Sequence, residues 1–387
     1  MKKSKTILQM MISGYYGFKN TGDEAILSSM VKNIRVKIPQ AEITVLTKNP
    51  LETSHDYQVK TINRMQWLQI LKCFAHTDIF ISGGGGLLQD STGRGWSILY
   101  YLGLILMAKI YRIPVMFYAQ GIGPVKRQFN KILIKWVLNQ VDLITVRDRQ
   151  SKELLKKLEV KNPLVHVNAD PSFLLEKKNI DTLLEKIPHL KEFIYGNNQQ
   201  LVGISVRSYK GNSENLRKKI ALIADNLIQE YEAKIIFIPF KAEEDISLSI
   251  KIMEIMENSK QVYILEEQFE PEILLTLISR LSFMLGVRLH SIMFSCLVQI
   301  PFLAFNYDPK VKNFVYNLDL PELLLDLDDL SLKAIKKKVE YVRENNDKII
   351  KILSKKVKVL KEKANCNNDL LFQLLESKQG GSLTLDD

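Results

Sequence analysis

The stretch Ile7-Leu8-Gln9-Met10-Met11-Ile12-Ser13-Gly14 decides the fold, because a short apolar run stops abruptly on glycine. Gly14-Tyr15-Tyr16-Gly17-Phe18-Lys19-Asn20-Thr21-Gly22-Asp23-Glu24 then leads into a helix. Strand, glycine-rich turn and helix open a βαβ unit, and the same rhythm recurs along nearly the whole chain. Buried strands are expected at 7–13, 42–47, 78–82, 115–119, 143–147 and 164–167, forming one sheet. A polar interval at 176–200, containing Gly196-Asn197-Asn198, interrupts the pattern and reads as a linker. The rhythm resumes at 201–207, 234–239, 261–266, 283–288 and 302–306, giving a second sheet of the same kind. The expected architecture is α/β: two doubly wound, Rossmann-like domains at 1–175 and 201–330, facing a cleft onto which the strand C-terminal ends open. Residues 331–364 carry Ile335, Val339, Val342, Ile349, Leu353, Val357 and Leu360 on one helical stripe, with lysines on the other faces. This C-terminal helix either packs onto the body or lays a basic surface against anionic lipid. Residues 365–387 are expected as a tail, loose from Gly380-Gly381-Ser382 onward.

With 387 residues, 46% hydrophobic and 25% charged, the chain suits two domains and is too apolar to be disordered over most of its length. Cys73, Cys296 and Cys366 are far apart and offer neither a disulfide framework nor a metal-ligand pair, which suits a reducing cytoplasm. The head Met1-Lys2-Lys3-Ser4-Lys5 looks like the start of a signal peptide, but the apolar run after it is too short. The apolar stretch 98–108 is closed by Lys109 and Arg112, well short of the roughly 20 residues that span a bilayer. A net charge of +11, from 54 basic and 43 acidic residues, calls for an acidic partner. Nucleic acid is the weakest candidate, since no zinc-finger, RNA-recognition or basic-zipper pattern accompanies the charge. Anionic lipid and a phosphorylated substrate remain. No cluster of carboxylates and histidines calls for a metal, and no cofactor is expected.

The turn after the first strand lacks both the Gly-Lys-Ser/Thr ending of a phosphate loop and the dinucleotide Gly-x-Gly-x-x-Gly. Asp23 and Glu24 also occupy the helix end whose dipole would attract an anion. Thr21-x-x-Glu24 fits a capping box, whereas Asp23 is expected to point outward, where a carboxylate could hold or deprotonate a sugar hydroxyl. Gly83-Gly84-Gly85-Gly86, followed by Leu87-Leu88-Gln89-Asp90, offers an anion-binding concavity or a close approach by another chain segment, or else simply a tight strand-to-helix turn near the cleft. Gly121-Ile122-Gly123-Pro124 reads mainly as a turn.

Arginines carry the strongest chemical signal. Arg147, Arg207 and Arg288 each stand at the C-terminal edge of an expected buried strand. One such arginine would ordinarily be a structural ion-pair partner, and Arg147 has Asp148 beside it. Three at equivalent edges point instead to a small ligand bearing both phosphate and carboxylate, on which all three converge. His290, two residues after Arg288 at a strand-to-helix junction, is either structural or an acid or base. Lys310, after Asn306-Tyr307-Asp308-Pro309, could reach the same anion.

In this order the pieces resemble the polysaccharide pyruvyl transferase family, and in particular its bacterial cell-wall branch, usually called CsaB. The matching elements are Gly14-Tyr15-Tyr16-Gly17 with Asn20 to Ile26, Gly83 to Asp90, Ala119-Gln120-Gly121-Ile122-Gly123-Pro124, Arg147-Asp148, Asp170-Pro171-Ser172, Gly286-Val287-Arg288-Leu289-His290 and Tyr307-Asp308-Pro309-Lys310. The resemblance implies a fold like the GT-B glycosyltransferases. It also implies transfer of pyruvate from phosphoenolpyruvate, a co-substrate, onto two hydroxyls of one sugar as a cyclic ketal. The implied acceptor is N-acetylmannosamine in a lipid-linked cell-wall polysaccharide precursor, reached from the cytoplasm or peripherally at the inner membrane face. On this reading His290 is the general acid or a phosphate ligand, and Arg147, Arg207, Arg288 and Lys310 hold the donor. Asp23 meets the acceptor, with Gly14, Gly17, Asn20, Glu24, Gly84, Gly85, Gln89 and Asp90 forming acceptor-side loops. Two rivals are a nucleotide-sugar glycosyltransferase of the same architecture and a non-catalytic protein binding anionic glycan or lipid.

Overall fold

A computed structural model describes residues 7–90, 96–196, 199–208, 213–326 and 331–379. The lysine-rich head at 1–5, Asn197-Asn198 and the residues from Gly380 onward lie outside that set. The chain divides into two compact units, Met1–Leu175 with Leu360–Asp387, and Glu176–Val359.

Among the described residues the first unit holds a seven-stranded sheet. Its strands are β1 (Gln9–Ser13), β2 (Glu42–Thr47), β3 (Lys60–Asn63), β4 (Ile79–Ser82), β5 (Val115–Gln120), β6 (Leu143–Val146) and β7 (Val165–Val167), ordered β3-β2-β1-β4-β5-β6-β7. The second holds six: β8 (Leu201–Ser205), β9 (Lys234–Phe237), β10 (Val262–Ile264), β11 (Phe283–Gly286), β12 (Phe302–Phe305) and β13 (Leu324–Leu325), ordered β10-β9-β8-β11-β12-β13. The pairings at both centres are parallel. Each order reverses beside its unit's first strand, which puts one switch point between β1 and β4 and another between β8 and β11. Connections diverge there and leave a crevice at the strand C-terminal ends.

Helices cover both faces of the first sheet, so its strands are apolar on both sides instead of alternating with polar residues. Met10, Ile12, Ile79, Ile81, Met116 and Tyr118 enter one core. Met11, Phe80, Val115 and Phe117, the residues between them, enter the other. That continuity made these strands readable. β3 (Lys-Thr-Ile-Asn) is a half-buried edge strand and β13 has two residues, and neither was anticipated.

Two expectations need correction. The interval 176–200 is not a bare linker: it forms helices Asp181–Lys186 and Pro188–Tyr195, with Ile180, Leu184 and Leu190 buried. Lys178 is tied to Thr276 by two bonds through the threonine hydroxyl. The terminal segment is two helices, Leu332–Glu344, capped by Ser331, and Asn346–Gln379. The second continues far into the supposed tail because Leu371, Phe372 and Leu375 enter the first unit's core. Asn367 and Asn368 are buried with them, donating to the Ala169 carbonyl and accepting from Tyr118 Oη at 2.7 Å, respectively. No helix among the described residues is long and apolar enough to cross a membrane.

Candidate active site

The crevice of the first unit is assembled by close backbone approach. The chain turns at Gly14 so that Tyr16 folds back: a Cβ on Gly14 would stand 2.4 Å from the Tyr16 ring, and one on Gly83 2.2 Å from its hydroxyl. Burial, with the charges of Asp23 and Glu24 adding to it, drives that hydroxyl well above the usual tyrosine range. Gly84 packs on Ile26, and Gly85, at φ +98°, leaves room for Asp23, whose Oδ1 would lie 2.5 Å from a Cβ there. Gly83 donates its N–H to the Ser13 carbonyl at 2.7 Å, and Gly121 its own to Gly85 at 2.8 Å. At Gly83, Gly84 and Gly85 the glycine run therefore serves close approach. Asp23 is buried and turned onto Gly85, which corrects the expected outward carboxylate.

The capping box is also corrected. Asn20, not Thr21, caps the helix Thr21–Lys37, accepting from Gly22 N–H at 3.2 Å. Glu24 accepts the Gly17 N–H at 2.8 Å and the Tyr57 hydroxyl at 3.0 Å, so it fastens the glycine turn to its surroundings. Burial pushes its carboxyl up to about 7 although both bonds favour the anion. Asp90 accepts the N–H groups of Lys126 (2.7 Å) and Arg127 (2.9 Å) and Asn130 Nδ2 (3.0 Å), holding the entry to helix Gln128–Leu138, with half-buried Gln89 beside it. Burial raises its carboxyl, but these donors prevail and keep it low.

Arg147 follows β6 as expected, with its guanidinium under Gly121, where a Cβ would come within 2.6 Å of Nε. Its charge is already answered. Nη1 donates to Asp170 Oδ2 at 2.7 Å, and Asp148 lies at 3.8 Å; the arginine side chain is 6% exposed and that of Asp170 is fully buried. Burial opposes the guanidinium charge, yet Asp170, Asp148 and Asp23 outweigh it. Arg147 thus makes its closest polar contacts within the framework of the first unit.

The second unit brings the other predicted groups to one sheet edge. Arg207 follows β8, Arg288 and His290 follow β11, and Tyr307 and Lys310 follow β12. Arg207 Nη1 donates to Tyr307 Oη at 2.9 Å and its guanidinium stands 5.2 Å from that ring; among the described residues it makes no ion pair with a carboxylate, although the Glu244 carboxyl feels its charge. Burial raises the Tyr307 hydroxyl, and the nearby Arg207 and Arg288 charges draw it back. Arg288 is gripped by Asp245, with Nε to Oδ2 at 2.7 Å and Nη2 to Oδ1 at 2.5 Å. The same carboxylate accepts from the Phe240 and Lys241 N–H groups. This bidentate pair fixes the guanidinium plane and leaves Nη1 outside it. His290 lies half-buried in the first turn of helix Leu289–Leu297, which Ser205 Oγ anchors through Ser291 Oγ at 2.7 Å. Lys310 is the second residue of helix Pro309–Asn317, whose cap Asp308 accepts the Lys310 N–H. Among the described residues no three His, Cys, Asp or Glu gather as a metal site.

The sequence profile of the polysaccharide pyruvyl transferases matches residues 20–309. The chain belongs to the polysaccharide pyruvyl transferase family. As such it is a transferase, and the matched stretch contains nearly all of the residues described above. It is 20% identical, over 396 aligned positions, to the amylovoran biosynthesis protein AmsJ of Erwinia amylovora, covering 88% of this chain and 94% of that one. UDP-GlcNAc 2-epimerase from Neisseria meningitidis superposes with a TM-score of 0.65 at 11% identity, over 96% of this chain and 100% of that one. A glycosyltransferase from Rickettsia africae gives 0.61 at 12%, over 97% and 100%. Such identities speak for the fold alone, which is GT-B-like with paired Rossmann-like units. In this pyruvyl transferase, Asp170 and Tyr307 lay inside quoted motifs without an assigned role, and Asp245, in Ala242-Glu243-Glu244-Asp245, carried no signal at all.

Proposed function

We propose that this pyruvyl transferase moves pyruvate from phosphoenolpyruvate onto an N-acetylmannosamine unit of a lipid-linked cell-wall polysaccharide precursor as a cyclic ketal. The observation that carries this reading is the group Arg207, Arg288, His290, Tyr307 and Lys310 on one strand-end edge of the second unit, where Arg207 makes no carboxylate ion pair among the described residues. Arg207, Lys310 and Nη1 of Arg288 hold the phosphate and carboxylate of the donor; Arg147, neutralised by Asp170, does not. In the reaction C3 of the enol gains a proton, one sugar hydroxyl adds to C2, phosphate leaves and a second hydroxyl closes the ketal. The two hydroxyl protons end on C3 and on the released phosphate. His290 supplies the proton to C3, and the fixed guanidinium groups stabilise the charge that develops on the departing phosphate. Exposed lysines of helix Asn346–Gln379, including Lys351, Lys355 and Lys358, suit an anionic membrane face where a lipid-linked acceptor would reside.

Purified protein incubated with phosphoenolpyruvate and a synthetic N-acetylmannosaminyl disaccharide is expected to give a product heavier by one pyruvyl ketal. His290→Ala should lower turnover about 10²- to 10⁴-fold, and Arg207→Ala should lower kcat/KM by at least about tenfold, the worth of one charge-assisted bond, with circular dichroism unchanged. Full activity in both variants would remove the site assignment. A nucleotide sugar that raises Tm where phosphoenolpyruvate does not would favour the glycosyltransferase alternative.

A further inference from the structure

The donor chemistry leaves unused a cluster at the C-terminal ends of β1, β2 and β3 in the first unit. Tyr15 and Phe18, both half-buried in the turn after β1, stack face to face with centroids 3.9 Å apart and planes 6° from parallel. Arg64, the residue after β3, places its guanidinium 5.1 Å from the Phe18 ring, 4.2 Å over Tyr100 and 5.5 Å from Tyr101. Among the described residues its side chain makes one hydrogen bond, from Nη1 to Tyr101 Oη at 3.4 Å, while the Tyr100 hydroxyl donates to its carbonyl. Lys48, the residue after β2, is exposed and lies 5.2 Å from the Phe18 ring. Thr47 and Asn63, which precede the two cations, are direct partners in the β2–β3 ladder, so the cations sit side by side on adjacent strands. Neither has a carboxylate partner among the described residues, unlike Arg147 and Arg288. Aromatic rings hold the Arg64 guanidinium in place and leave most of its donors to an incoming group.

We propose that this ledge is the acceptor subsite for a sugar bearing a phosphate or pyrophosphate: the apolar face of the pyranose lies on the Tyr15–Phe18 stack, and Arg64 with Lys48 holds the anion. The inference rests on the reading that the chain acts on a saccharide acceptor. It adds which residues hold that acceptor and that they recognise its phosphate as well as its ring. Tyr101 donates to the Gly14 carbonyl at 3.3 Å, which joins the ledge to the switch-point turn of the same unit.

The test is isothermal titration of the full chain with N-acetylmannosamine 1-phosphate, N-acetylmannosamine and inorganic phosphate, each as a separate probe. The glycosyl phosphate should bind at least tenfold tighter than either part. Arg64→Gln, Lys48→Gln and Phe18→Leu should each weaken it, Arg64→Gln by tenfold or more, while the thermal shift produced by phosphoenolpyruvate is unchanged. Lys48 is exposed, so its variant reports on the site even if an Arg64 variant folds poorly. Wild-type affinity in both the Arg64 and the Lys48 variants, or a glycosyl phosphate that binds no better than phosphate alone, would overturn the proposal. A farnesyl diphosphate-linked N-acetylmannosamine that binds tighter than the 1-phosphate would mark a lipid-linked source, and equal binding a soluble one; both uphold the ledge. Should phosphoenolpyruvate fail to bind while the Arg64-dependent sugar phosphate does, the donor reading falls and the ledge stands.

Discussion

Glu24 joins the Gly17 turn and Tyr57 through one half-buried carboxyl group raised to about 7. Because the folded value lies above the ordinary 4.5, this group adds stability that is fully present below about 4.5 and is lost as pH rises through about 7. Glu24→Gln keeps the acceptor for Gly17 and removes the titration. The variant is therefore expected to gain on the wild type between pH 5 and pH 8 by up to about 3 kcal/mol, read from urea unfolding at the two values. Equal pH dependence in the two proteins would refute this. At the residue scale the arginines were legible because a charged group directly after a buried strand is conspicuous in sequence. Their partners were not. Asp170 and Asp245 lie 23 and 43 residues from the arginines they hold, so only the fold brings them together. Asp148, the obvious neighbour, mainly caps helix Arg149–Lys157 by accepting the Ser151 N–H at 2.7 Å.

At the scale of elements, the central strands were readable because burial on both faces demands unbroken apolar runs. Their C-terminal edges ran one or two residues long in the reading, as at Arg147, Arg207 and Arg288, because strand pairing stops before the apolar pattern does. Edge strand β3 and the far end of helix Asn346–Gln379 were hidden for the same reason: their polar residues suggest solvent. Asn368 in fact accepts from Tyr118 Oη at 2.7 Å inside the core, and burial drives that hydroxyl far above its usual range. Asn368→Ala would leave the buried hydroxyl without its acceptor and is expected to cost about 1–3 kcal/mol. Tyr118→Phe in the Asn368→Ala background should recover part of that loss, measured as the coupling in a double-mutant cycle. No recovery would mean that the pair contributes nothing as a pair.

On the scale of the whole molecule, one winding scheme is used twice, and each copy gathers its conspicuous residues at a switch point. The copies share a charge pattern. Each holds one arginine against a distant carboxylate, Arg147 on Asp170 and Arg288 on Asp245, and sets another against aromatic rings, Arg64 and Arg207. The first unit also draws Leu371, Phe372 and Leu375 from the helix that follows the whole of the second. A chain cut after Val359 should therefore lose protection from proteolysis in residues 9–167 while keeping it in 201–325; equal protection in both would disprove the dependence. On the ribosome this reverses the usual N-to-C order. At about 5–20 residues per second, the first sheet waits roughly 10 to 40 s for residues 176–359 to emerge before its last side chains arrive. The half of the protein made first is the half completed last, and an unfinished apolar surface must be shielded throughout that interval.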